Sequence, residues 1–167
     1  MNLYLLRHGL AVEPGTPGYA RDANRPLTPE GKQKLQKIAR AMKSLELEFD
    51  RIVSSPYLRA RQTAEIIAER LKPCQKLELS GTLAPDGSSR KLIELINGLE
   101  PPPKSVLLVG HEPYLSGLIA LLISGRQSAS IVMKKAGLAS LRLASLHHGR
   151  CAELEWLLTP KQMGLLV

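Results

Sequence analysis

Apolar and polar positions along this chain fall into blocks of two different periods. Residues 3–11 read LYLLRHGLA, four apolar residues from Leu3 to Leu6 followed at once by Arg7 and His8. An unbroken apolar run of this length fits a strand covered on both faces, the kind found in parallel sheets. A cation and an imidazole at its end must solvate, find partners or bind something negative.

The blocks that follow alternate helix and strand. A loop rich in Gly and Pro, GLAVEPGTPGYARDANRPL, leads to Thr28-Pro29-Glu30: a hydroxyl cap, a first-turn proline and a carboxylate near the positive helix end. Leu35, Ile38, Met42 and Leu45 then recur at helical spacing and predict one apolar face. RIVSS at 51–55 predicts a short strand, and Ser55-Pro56 opens a second helix to about Leu71, with Ala60, Ala64, Ile67 and Leu71 buried. KLELS is a weaker strand, and Ser88 or Ser89 caps a helix carrying Leu92, Leu95 and Ile96. SVLLVG at 105–110 repeats the buried-strand pattern, followed by His111 and a helix from Pro113 to about Ser124.

Beyond that point the period changes. SIVM, LASLRLASL and AELEWLL read as strands, the last two as a hairpin with His147-His148-Gly149 at its turn and Trp156 in the core. The whole predicts one α/β domain over residues 1–167, a mostly parallel sheet with helices on both faces. No repeat, linker or low-complexity tract interrupts it.

Composition narrows the class. Apolar residues make up 44% of 167, which excludes disorder and provides for one sizeable core. No apolar run reaches membrane-span length and no cleavable leader pattern opens the chain, so a cytoplasmic, non-membrane protein is expected. Cys74 and Cys151 stand in no metal-binding or disulfide spacing. The net charge of +8 favours anionic partners, but aromatics at 4% leave little for a nucleic-acid stacking platform.

Ligands of open α/β sheets bind beyond the carboxyl ends of the strands. Three segments occupy such ends here: Arg7-His8-Gly9, Ser54-Ser55-Pro56-Tyr57-Leu58-Arg59 and Gly110-His111-Glu112-Pro113. Two helix starts, two arginines and two histidines on one rim suit a phosphate-like dianion. No Walker loop, GxGxxG or G-x-S-x-G elbow is present, which weighs against nucleotide chemistry and a serine hydrolase.

LRHG at 6–9, SSPYLRARQTA at 54–64 and VGHEP at 109–113 together resemble the histidine phosphatase superfamily, with its phosphoglycerate-mutase-like three-layer α/β/α fold. The short chain and RPLTPEG at 25–31 resemble its SixA-type phosphohistidine phosphatases. The resemblance implies His8 as nucleophile, becoming phosphohistidine, with Arg7, Arg59 and His111 holding the phosphoryl oxygens. It implies no metal and no cofactor. Arg25 is a candidate contact to the substrate phosphate. The mutase members use a glutamate acid with no clear equivalent here; Asp86, in LAPDG, is the nearest carboxylate, although turn chemistry explains Pro-Asp-Gly equally well. The expected substrate is phosphohistidine in a signalling, phosphotransfer protein. A small-molecule phosphomonoesterase or mutase, or a non-catalytic basic domain binding phosphoproteins or nucleic acid, are the alternatives.

Overall fold

A computed structural model describes residues 1–71 and 76–167. The chain order is β1 (Asn2–Arg7), α1 (Pro29–Ser44), β2 (Arg51–Ser54), α2 (Leu58–Leu71), β3 (Lys76–Leu79), α3 (Ser89–Asn97), β4 (Ser105–Gly110), α4 (Tyr114–Ser124), β5 (Leu138–Leu143), β6 (Ala152–Leu158) and the short α5 (Pro160–Met163). The strands form one sheet in the order β3-β2-β4-β1-β5-β6. β1 to β4 are mutually parallel, whereas β5 runs antiparallel to both β1 and β6. The expected mostly parallel sheet with a terminal hairpin is therefore present.

Two buried clusters, one on each face, explain why the central strands read as unbroken apolar runs. Leu3, Leu5, Val106 and Leu108 face α3 and α4, while Tyr4, Leu6, Leu107 and Val109 face α1 and α2. Adjacent residues point to opposite faces, so a strand covered twice has no polar position to spare. Thr28 caps α1 by accepting from Gly31 N, and Ser88 caps α3 by accepting from Lys91 N.

Several expectations shift locally. SIVM at 130–133 is not a strand: the chain between α4 and β5 is irregular, and its Met133 carbonyl accepts from the Arg7 guanidinium rather than from a neighbouring strand. LASLRLASL ends as a strand at Leu143. Leu45 lies past the last helical residue and is 36% exposed, because α1 ends at Ser44 before its apolar stripe can carry it inward. Leu71, Leu95 and Trp156 are half-buried, the last tilted against Tyr4 at 6.0 Å. Cys74 lies outside the described residues, and Cys151 is a free thiol. Among the described residues no helix is long and apolar enough to cross a membrane.

One close approach ties the first helix to the end of β1. A Cβ on Gly31 would stand 2.1 Å from the Leu10 carbonyl oxygen. That same oxygen accepts the Thr28 N–H at 3.0 Å. Only a residue without a side chain lets the first turn of α1 rest on the segment following His8.

Candidate active site

The three segments singled out in the sequence meet at one edge because β1, β2 and β4 are parallel neighbours. His8 N donates to the Gly110 carbonyl at 3.0 Å, and Ser55 N donates to Val109 at 2.9 Å. The backbone thus locks the residue after each strand to the adjoining strand. His8, Arg59 and His111 are 6%, 4% and 2% exposed, a degree of burial that polar side chains reach only when they serve one another or a ligand.

The hydrogen bonds of His8 determine its tautomer. Nδ1 lies 2.8 Å from the Gly9 carbonyl oxygen, which can only accept, so Nδ1 carries the proton. Nε2 lies 3.2 Å from Arg59 Nε, which can only donate, so Nε2 presents its lone pair. Burial brings the His8 pKa down to about 3 although the Gly9 carbonyl pulls it up; the charges on His111, Arg59 and Arg7 lower it further. Burial is the larger cause, and the neighbours add to it.

His111 packs against His8 with ring centroids 5.1 Å apart, and its Nε2 is 2.8 Å from the Ser55 hydroxyl. Burial and the Arg59 charge bring its pKa down to about 4, against the opposing pull of Asp22. Tyr57 meets the His111 ring edge-on at 5.2 Å and lies under the Arg59 guanidinium. Arg7 donates from Nη1 to the Met133 carbonyl at 2.8 Å. Among the described residues, its buried Nε and the buried Nδ1 of His111 have no hydrogen-bond partner. Unsatisfied buried polar atoms of this kind are costly unless a ligand answers them.

Arg25 stands one residue removed from the cluster. Its guanidinium holds Asp22 Oδ1 at 2.6 Å, while Arg59 Nη2 holds the other carboxylate oxygen at 2.9 Å and Arg59 Nη1 holds the Asp22 carbonyl at 2.8 Å. Burial pushes the Asp22 pKa up, but the two arginines outweigh it and hold the carboxyl below its usual range. Asp86 is exposed in the turn following Gly81–Leu83 and makes no hydrogen bond or ion pair with the His8 cluster. His147 and His148 make no hydrogen bond with it; His148 pairs with Ser89 at 3.2 Å.

Three contributors were not singled out in the sequence. Asp22 is one; its signal was a carboxylate three residues before Arg25 in the loop facing the rim. The others, Gln62 and Thr63, stand inside the SSPYLRARQTA stretch. The Thr63 hydroxyl accepts Gly9 N at 3.1 Å and donates to the Arg59 carbonyl at 2.7 Å, so one side chain spaces the His8 loop from the helix bearing Arg59. Gln62 Oε1 accepts Leu27 N at 2.8 Å and pins the loop that carries Asp22 and Arg25.

The sequence model of the histidine phosphatase superfamily (branch 1) matches residues 3–84. An uncharacterized protein of Picosynechococcus is 38% identical over 143 residues, 85% of each chain. The phosphohistidine phosphatase SixA of Escherichia coli is 31% identical over 126 residues, 75% of this chain and 76% of its own. A protein histidine phosphatase SixA solved in complex with tungstate superposes with a TM-score of 0.80 at 29% identity, covering 96% of this chain and 98% of that one. With the motifs gathered at one sheet edge and relatives of this identity matched over most of their length, the chain belongs to the histidine phosphatase superfamily.

Proposed function

We propose that the protein removes the phosphoryl group from phosphohistidine in a phosphotransfer protein, through a covalent phosphohistidine on His8 and without a metal ion. The observation that carries this reading is the Nε2 lone pair of His8, left unprotonated by the Nδ1–Gly9 hydrogen bond and aimed at the site beside Arg59, whose Nε donates to it. That lone pair attacks phosphorus, and the P–N bond of the substrate breaks as its imidazole leaves with one proton. The His8 ring, now carrying the phosphoryl group on Nε2 and a proton on Nδ1, is cationic, and the Gly9 carbonyl stabilises that charge. Water then attacks phosphorus, releases phosphate and returns His8 to its neutral form. Arg7, Arg59 and His111 hold the equatorial oxygens, where charge stabilisation and positioning do most of the work in a loose phosphoryl transfer. The likeness to a SixA solved with tungstate, itself a tetrahedral oxyanion, supports a phosphoryl-type ligand for this protein.

The carboxylates near the rim support a nitrogen leaving group. Asp22 is held ionised by two arginines, and Glu112 Oε1 is taken by Ser116 N at 2.9 Å. The ionised Asp22 has no proton to give an alkoxide, whereas an imidazole leaves more readily. The scheme gives no step to Asp86. The test is a turnover panel of a phosphohistidine-bearing phosphotransfer domain, phosphoimidazole, phosphoserine and sugar phosphates, each with and without EDTA. The expected result is a preference for both P–N substrates and no loss with chelator. A preference for a phosphate ester, or inactivation by EDTA, overturns it.

A further inference from the structure

A groove of about 640 Å³ opens on the α1 side of the rim, beside the His8 cluster and separate from it. Its floor includes Leu10, Ile38, Ala136 and Pro160, and five lysines border it: Lys34, Lys37, Lys134, Lys135 and Lys161. The lysines come from three separate segments, α1, the stretch before β5, and α5. Lys34 is paired with Glu30 at 2.6 Å and Lys135 stands 3.8 Å from Glu13. Among the described residues, Lys37, Lys134 and Lys161 have no carboxylate partner. An apolar floor inside a ring of one charge is an interface pattern with the sign of its partner written on the rim.

The groove is joined to the active site through the backbone. Met133 O holds Arg7 Nη1, and Ala136 N donates to the carbonyls of both Arg7 and His8 at 3.1 Å. Lys134 and Lys135 are the two residues between those anchors. On the other border, Leu10 lies two residues after His8. Whatever covers this floor therefore lies against the segments that hold Arg7 and His8 in place.

We propose that the groove docks the phosphohistidine-bearing protein itself, through an acidic surface with interspersed apolar side chains beside its phosphorylated histidine. This rests on the phosphohistidine reading above and names how the protein substrate is selected. A single anionic headgroup answers one or two of these lysines, whereas a protein surface presents several carboxylates to charges spread over three segments. The net charge of +8 acts in the same direction at longer range, drawing an acidic partner toward the rim before contact.

The test is the triple variant Lys37→Glu/Lys134→Glu/Lys161→Glu, assayed on a phosphohistidine phosphotransfer domain and on phosphoimidazole. The expected result is a fall in kcat/KM of roughly tenfold or more on the protein, with a flatter salt dependence than the wild type. Turnover of phosphoimidazole, which also reports correct folding, is expected to stay within about twofold because it needs no docking surface. Equal turnover of the protein by variant and wild type overturns the docking proposal alone, as does a parallel loss on both substrates. A wild type inactive on both overturns the phosphohistidine reading and the docking proposal with it. Binding of phosphatidylserine vesicles by the wild type, lost in a variant that turns over the protein normally, overturns it in favour of a membrane-facing groove.

Discussion

Arg59 donates from Nε to Nε2 of His8 at 3.2 Å, and turns the rest of its guanidinium to Asp22. One side chain therefore touches the proposed nucleophile and the loop that closes over it. This arrangement depends on α2 starting directly after Ser55-Pro56-Tyr57, which puts Arg59 in the first helical turn at the sheet edge.

Replacing His8 by Ala removes the only nitrogen proposed to form the covalent intermediate. Turnover is expected to fall more than about a thousandfold. Brief mixing with labelled phosphohistidine substrate and alkaline quenching should trap an acid-labile phosphoenzyme in the wild type and none in the variant. Sustained turnover by His8→Ala would remove the mechanism.

Arg59→Ala is expected to lower kcat/KM by about 10²–10³, the usual scale for losing one preorganised donor to a developing charge. Arg59→Lys should recover little, because an ammonium cannot bond His8 and Asp22 from two edges at once. Full rescue by lysine, read from steady-state kinetics, would mean that Arg59 contributes charge alone.

Asp22→Asn separates binding from turnover. Its carboxylate competes with a phosphoryl group for Arg59 and Arg25 while holding both guanidiniums in place. Inorganic phosphate is expected to inhibit the variant at several-fold lower concentration, with kcat reduced roughly three- to tenfold. If neither constant moves, the Asp22 bridge is a bystander.

Asp86→Asn is expected to leave turnover of a phosphohistidine protein within about threefold, since this exposed turn carboxylate makes no hydrogen bond or ion pair with the His8 cluster. A large loss confined to phosphate esters would identify Asp86 as an acid for oxygen leaving groups.

Acid should destabilise the fold through the two buried imidazoles. Their folded pKa values, about 3 for His8 and about 4 for His111, lie below the unfolded value near 6.5. Between those limits the unfolded chain binds more protons, so stability is complete above pH 6.5 and is lost as pH falls toward 4 and then 3. Urea midpoints measured across this range should decline in the wild type and decline less in His8→Gln. Parallel slopes would show that other groups carry the acid sensitivity.

Legibility followed range of interaction. Leu3–Leu6 and Val106–Val109 were readable as doubly covered strands because alternate side chains enter two different cores, leaving no polar residue in either run. SIVM misled because a short apolar run without partners looks the same as a strand; Met133 is buried, but its carbonyl serves Arg7. Leu45 misled because it is the C-cap of α1: its N–H still donates to the Ala41 carbonyl at 2.9 Å, but the chain turns away there and leaves its side chain 36% exposed. In the site, LRHG, the SSPYLRARQTA stretch and VGHEP could be read as chemistry at three strand ends, whereas Gln62, Thr63 and Asp22 act by bonding loops distant in sequence.

The sequence alone determined the strand and helix pattern, the two-sided core, the family, and the arginines and histidines placed after strands. Local spacing and side-chain chemistry suffice for those. Only the tertiary structure decided which nitrogen of His8 is free, that burial leads in keeping it neutral, and that Asp22 joins Arg25 to Arg59. Arg59 meets His8, 51 residues away, and Asp22, 37 residues away, at about 3 Å; those meetings and the burial of His8 are set by the packing of parallel strands and the helices on them rather than by any local pattern.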